Sequence, residues 1–121
     1  MDMKLEVVVV PVTDVDRAKR FYLSMGWRLD ADFAKGDWRI VQVTPPGSAC
    51  SICIGVGFID MAPGSLGNLQ LVVTDIEEAR AELAGRGMEV SGVDVQPWGS
   101  FVYFKDPDGN AWSVQQLPPW D

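Results

Sequence analysis

Val12-Thr13-Asp14-Val15-Asp16-Arg17-Ala18-Lys19 recurs further along the chain as Val73-Thr74-Asp75-Ile76-Glu77-Glu78-Ala79-Arg80, and each copy runs on to a glycine, Gly26 and Gly87. A match of this kind between two halves of one chain marks a repeated structural unit. Each copy follows an apolar run, Val7 to Val10 and Leu69 to Val73, as a strand feeding straight into a helix does. Thr13 with Asp16, and Thr74 with Glu77, have capping-box spacing, in which a hydroxyl and a carboxylate satisfy backbone donors at a helix start. The first helix is expected to bury Val15, Ala18, Tyr22 and Met25, and the second Ile76, Ala79 and Leu83, all at helical spacing. The glycine after each is a left-handed stop.

Working outward, three short strands follow each helix: Trp27 to Phe33, Trp38 to Thr44 and Ala49 to Gly55, then Met88 to Asp94, Phe101 to Lys105 and Ala111 to Gln116. In both halves the last two strands are joined through Pro and Gly, in Thr44-Pro45-Pro46-Gly47-Ser48 and Asp106-Pro107-Asp108-Gly109-Asn110. The pattern is βαβββ, twice. One domain over 1–121 is expected, with a first module over 1–56, a linker over 57–67 containing Pro63-Gly64-Ser65, and a second module over 68–121. The fold class is α+β: two tandem modules whose mixed sheets curve into a shared trough with the helices outside. Duplication also makes exchange of modules between two copies a route to a homodimer.

Composition narrows the function. A chain of 121 residues has room for one core, and 47% hydrophobic against 22% charged is a globular balance. No apolar run approaches the roughly 20 residues of a membrane-spanning helix. Met1-Asp2-Met3-Lys4 lacks the basic and then apolar layout of a signal peptide, so the expected compartment is the cytoplasm. A net charge of −7 without a Lys/Arg cluster repels a phosphate backbone, which excludes nucleic acid as a partner. Cys50 and Cys53 have Cys-x-x-Cys spacing but lie in a strand-like run, and the chain has no His to complete a zinc site, so two unpaired thiols are expected.

The chain resembles the glyoxalase, bleomycin-resistance and extradiol dioxygenase (vicinal oxygen chelate) superfamily over its whole length. The resemblance is carried by the doubled Val-x-Asp-(Val/Ile)-x-x-Ala helix entry, by Arg20-Phe21-Tyr22 and Met25-Gly26-Trp27, and by Asp106-Pro107-Asp108-Gly109-Asn110 before the last strand. It implies the trough fold and, in metal-dependent members, four His, Gln or Glu ligands on the first and fourth strands of each half. Those positions fall here on Val7, Ser51, Asn68 and Ser113. A valine offers no donor atom, and neutral hydroxyls and an amide are poor ligands for divalent transition metals, so no metal and no cofactor is expected. Glu6, one residue away, stays a lone carboxylate and is read as a surface residue.

Strand alternation then names a trough lining, because residues sharing parity with the vacant positions face it. The first half contributes Val7, Val9, Arg39, Val41, Ser51 and Cys53, and the second Asn68, Gln70, Phe101, Tyr103, Ser113 and Gln115, with Trp98 nearby. Folding the last hairpin about Asp106 to Asn110 pairs Tyr103 with Ser113 and Phe101 with Gln115, sending Val102, Phe104, Trp112 and Val114 to the core. Gln42 is the exception, a polar residue in an otherwise apolar set. Phe101, Tyr103 and Trp98 suit stacking on a planar molecule, and the amides and hydroxyls suit neutral hydrogen bonds to it. Of the five tryptophans, Trp27 and Trp112 are assigned to packing, Trp38 and Trp98 to the rim, and Trp120 to the tail. Asp30 and Asp32 share a face by strand spacing.

The leading reading is a metal-free binder that sequesters a small, planar or aromatic molecule, not an enzyme. The alternatives are a metal-independent isomerase or lyase using Tyr103, the one catalytic candidate, or a nearby acid, and a protein-association module. With no His, Ser-His and Cys-His nucleophile pairs are excluded. Arg39 favours an anionic ligand and the net charge a cationic one, which leaves the ligand's charge open.

Overall fold

A computed structural model of the chain describes residues 1–56 and 60–119. Gly57, where the linker is expected to begin, and Trp120 lie outside the described residues. The first module comprises β1 (Val7–Pro11), α1 (Val15–Ser24), β2 (Arg28–Lys35), β3 (Trp38–Thr44) and β4 (Ser51–Val56). The second comprises β5 (Leu69–Val73), α2 (Ile76–Gly85), β6 (Asp94–Gln96), β7 (Gly99–Lys105) and β8 (Ala111–Gln116). Each forms a four-stranded mixed sheet, ordered β1-β4-β3-β2 and β5-β8-β7-β6. The β1–β4 and β5–β8 pairs are parallel and the rest antiparallel. This is the α+β fold of two βαβββ modules that the repeat predicts.

Two compact units result, Met1–Ser65 with Pro107–Asn110, and Leu66–Asp106 with Ala111–Asp121. In the first, Val10, Ala18, Tyr22, Val41, Val43 and Ile54 are fully buried, and the Tyr22 ring lies 5.1 Å from that of Trp27. In the second, Ile76, Val102, Phe104, Trp112 and Val114 form the core, with the Phe104 and Trp112 rings parallel at 6.0 Å. Trp27 and Trp112 are therefore packing residues, as expected.

The helix starts differ from the capping-box reading. Asp14 and Asp75 are the caps, their carboxylates accepting from the backbone N–H of Arg17 at 3.0 Å and Glu78 at 3.1 Å. A charged acceptor gains more than a hydroxyl from the positive end of the helix dipole. Thr13 is engaged elsewhere: its hydroxyl donates to Asp108 Oδ1 at 2.6 Å and its backbone N–H approaches the same oxygen at 3.1 Å. Beside it, the fully buried Asn110 donates through Nδ2 to the Pro11 carbonyl at 2.8 Å. Pro107–Asn110 is thus built into the first unit.

Two strands also depart from expectation. The β2–β3 register shifts between Leu29 and Ala31, leaving Asp30 as an extra residue. Such a bulge re-aims side chains, so Asp30 and Asp32 do not share a face. Asp30 accepts from Arg28 Nε at 2.6 Å and from the Thr44 hydroxyl, whereas Asp32 accepts from Lys19 Nζ at 2.7 Å and Arg39 Nε at 2.8 Å. The strand expected over 88–94 is reduced to β6. Ser91 explains why: its N–H donates to the Tyr103 carbonyl at 3.0 Å and its Oγ accepts from the Tyr103 N–H at 2.9 Å. With its own carbonyl engaged by Arg80 Nε at 2.8 Å, the ladder does not extend through it.

Candidate functional site

The hairpin β7–β8 carries the site, and its register is the expected one: Tyr103 pairs with Ser113 and Phe101 with Gln115. Parallel pairing of β5 with β8 sets Gln70 beside Ser113, so these residues share one face of the second sheet. A concavity of about 1040 Å3 opens over that face. Of the expected residues, Asn68, Gln70, Trp98, Phe101, Tyr103 and Ser113 line it. Gln115, 8% exposed, lies behind them.

The polar residues form one directed chain. Ser113 Oγ donates to Gln70 Oε1 at 3.1 Å, Gln70 Nε2 to Gln115 Oε1 at 2.6 Å, and Gln115 Nε2 to the Trp98 carbonyl at 2.9 Å. Each amide is held at both ends, which fixes its orientation. Beside the chain, the Phe101 and Tyr103 rings lie parallel, 4° apart in plane with centroids at 6.2 Å. Phe101 is buried and Tyr103 exposed, so the pair presents the tyrosine outward. Trp98, 62% exposed, adds a second aromatic surface.

Sequence reasoning missed Glu89, Ser91, Asp94 and Gln96, which also line the concavity. The most consequential is Asp94, in register with Phe101, whose Oδ2 accepts from the Tyr103 hydroxyl at 2.7 Å and whose Oδ1 accepts from Gln96 Nε2 at 2.9 Å. The carboxylate, through that hydrogen bond first and then burial, pushes the Tyr103 phenol above its ordinary pKa. Tyr103 is therefore a neutral hydrogen-bond donor near pH 7. The available signal was the turn Pro97-Trp98-Gly99: a hairpin folded there brings Gln96 opposite Gly99 and Asp94 opposite Phe101.

In the first unit the face assignment needs correction. Val7 pairs with Ser51 and Val9 with Cys53, so those four share a face, but the β3 residue opposite Cys53 is Gln42. Thr44 joins them, its hydroxyl 2.7 Å from that of Ser51. Val41 pairs with Ile54 and is fully buried on the opposite, helix-covered face. Arg39 shares that face, with one guanidinium nitrogen 2.9 Å from Asp16 of α1 and Nε 2.8 Å from Asp32. Arg39 and Val41 thus leave the proposed lining, because the actual register differs from the assumed one by an odd number of residues and exchanges the two faces. Gln42 was the clue. Cys50 and Cys53 are free, and burial pushes the Cys53 thiol up in pKa.

Residues 4–114 match the Glyoxalase/Bleomycin resistance protein/Dioxygenase superfamily model. The chain belongs to this superfamily. A structure described as TnmS3, an antibiotic binding protein from Streptomyces sp. CB03234, is 36% identical with a TM-score of 0.86, the match covering 97% of this chain and 98% of that one. A glyoxalase/bleomycin resistance protein from the same organism is 37% identical with a TM-score of 0.80, covering 93% and 100%. A superfamily member from Sphaerobacter thermophilus DSM 20745 is 26% identical with a TM-score of 0.82, covering 95% and 98%. Comparison with curated proteins finds no match.

The superfamily's metal chemistry can be tested against the residues present. In the first unit the positions that the resemblance assigns to ligands are Val7, which has no donor, and Ser51, whose hydroxyl is shared with Thr44. In the second they are Asn68 and Ser113, the latter donating to Gln70. Among the described residues no three His, Cys, Asp or Glu side chains come together as a metal-holding group. Neutral oxygens and an alkyl group do not make a divalent transition-metal site, so the donor set does not fit the metal. Among the described residues no helix is long and apolar enough to cross a membrane.

Proposed function

We propose that the protein binds and sequesters a small planar or aromatic molecule in the second unit's concavity, without a metal or other cofactor. The observation that carries this reading is the pairing of an aromatic surface, Phe101, Tyr103 and Trp98, with the oriented chain Ser113–Gln70–Gln115. Ligand sites are built in this way, apolar walls with a few converging polar groups. The likeness to an antibiotic binding protein at 36% identity supports an antibiotic-like ligand. A cytoplasmic homodimer formed through the duplicated modules belongs to the same proposal, and sedimentation of the purified chain tests its oligomeric state.

Tryptophan quenching and thermal shift against a panel of aromatic antibiotics test the reading: saturable quenching with a raised midpoint supports it. Turnover of a bound compound, lost in Tyr103→Phe, supports the metal-independent enzyme, which the 2.7 Å Tyr103–Asp94 contact keeps as the second reading. No binding across the panel favours the association module. Stoichiometric zinc, nickel, iron or manganese retained after chelator dialysis, with binding lost on its removal, overturns the metal-free reading.

A further inference from the structure

The ligand's charge, left open by the sequence, is addressed by the second unit's lining. Arg39, the residue that favours an anion, lies on the helix-covered face of the first unit, between Asp16 and Asp32. The concavity instead holds two carboxylates, Glu89 and Asp94, and one cation, Lys105. Neither carboxylate takes part in an ion pair among the described residues. Lys105 lies along β7 from Phe101, the register partner of Asp94, by about 13 Å at roughly 3.3 Å per residue. Asp94 and Lys105 therefore lie at different places along the site, whereas Glu89, two residues before Ser91 and its Tyr103 contact, lies towards Lys105.

Asp94 is fixed but not neutralised. Tyr103 and Gln96 each give one hydrogen bond to one of its oxygens, and both donors are uncharged. Each carboxylate oxygen has two acceptor sites, so each keeps one for an incoming donor. The aromatic rings beside it add attraction of the same sign, because their faces are negative and draw cations.

We infer that the concavity selects planar ligands bearing a protonated amine, with Asp94 as the group that receives the ammonium. This rests on the binding reading above and adds a charge preference to it. A neutral analogue keeps the ring contacts and loses the charge-assisted hydrogen bond, and an anionic analogue placed there meets the like charge of Asp94.

Three probes share one ring and differ in charge: 2-naphthylmethylamine, 2-naphthylmethanol and 2-naphthoate. Calorimetric titration of the full chain at pH 7 and low salt is expected to rank the amine about tenfold tighter than the alcohol, with the carboxylate weakest. Asp94→Asn keeps the shape and the amide acceptor, and is expected to bring the amine to the alcohol's affinity while leaving the alcohol unchanged. Asp37→Asn removes the same charge from the β2–β3 turn of the first unit and is expected to leave the ranking intact. Saturable binding of amine and alcohol with equal affinity overturns the charge preference and leaves the binding reading standing. A ranking that survives in Asp94→Asn, or that disappears in Asp37→Asn, overturns the role of Asp94. Binding of none of the three probes overturns the charge preference, and the antibiotic panel decides the binding reading separately. The wild-type ranking needs no variant, and Asp94→Ser repeats the test should Asp94→Asn fail to fold.

Discussion

Gly99→Ala isolates the turn that holds Trp98 against the site. Gly99 sits at φ 147°, and an added Cβ would lie 2.7 Å from the Gln116 carbonyl oxygen and 2.8 Å from Gln115 Nε2. The backbone conformation costs a non-glycine residue about 1–3 kcal/mol. Displacing packed neighbours adds about 1–3 kcal/mol, and the lower entropy of the unfolded chain returns about 0.4–1 kcal/mol. The net loss is about 3 kcal/mol. Unfolding entropy of about 2.1 cal/mol/K per residue gives about 0.25 kcal/mol/K for this chain, so the midpoint should fall by about 12 °C. Gly36→Ala is the matched control: its φ is +60° and an added Cβ would meet nothing within 4 Å. Its left-handed cost is about 1–2 kcal/mol before the unfolded-state return, a drop of about 4 °C. Thermal unfolding of both variants by circular dichroism gives the comparison directly. Equal midpoints would refute the steric argument, and with it the claim that Gln115 is seated against this turn.

Other outcomes follow from the charges and thiols. Arg39 and then Lys19 hold the Asp32 carboxyl down at about 2, below its ordinary 3.8, so its contribution to stability is present above about pH 4 and lost as pH falls through 2. Asp32→Asn should flatten that acid limb in urea unfolding followed from pH 5 to 2, and an unchanged limb would count against the ion pairs. The Tyr103 phenol is raised, so its contribution is present below the ordinary value of 10.0 and lost as pH rises through the folded value. In a Tyr22→Phe background, ultraviolet titration should place the remaining phenol above 10, and Asp94→Asn should bring it back down. With native protein, a thiol reagent should modify half-buried Cys50 before buried Cys53, and reduction should leave the mass unchanged; simultaneous reaction of both would contradict the placement of Cys53. Ser91→Ala should loosen Tyr103 and weaken ligand binding, at a stability cost of about 1 kcal/mol.

How far the sequence could be read depended on what set each register. Asp106-Pro107-Asp108-Gly109-Asn110 joins β7 and β8 directly, and the alternation on either side leaves one way to bury Val102, Phe104, Trp112 and Val114. The second half of the site was therefore legible. In the first half, β4 begins at Ser51 and not at Ala49, and the longer connection through Pro45 and Cys50 does not fix a register by its own geometry. Gln42, out of place among apolar residues, recorded the error. Asp94 was hidden for a different reason. Its strand is only Asp94–Gln96, too short for an alternation to register, and its role depends on a partner across a turn built on Gly99.

The four residues Pro107–Asn110 complete a unit whose other members all precede Leu66. Cutting the gene at the midpoint of its duplication would take from the leading fragment the Asn110 amide that donates to the Pro11 carbonyl and the Asp108 carboxylate that accepts from Thr13. The two copies of the repeat are thus not interchangeable parts that each fold on local information. The nascent chain cannot finish its opening half until synthesis has passed Asn110.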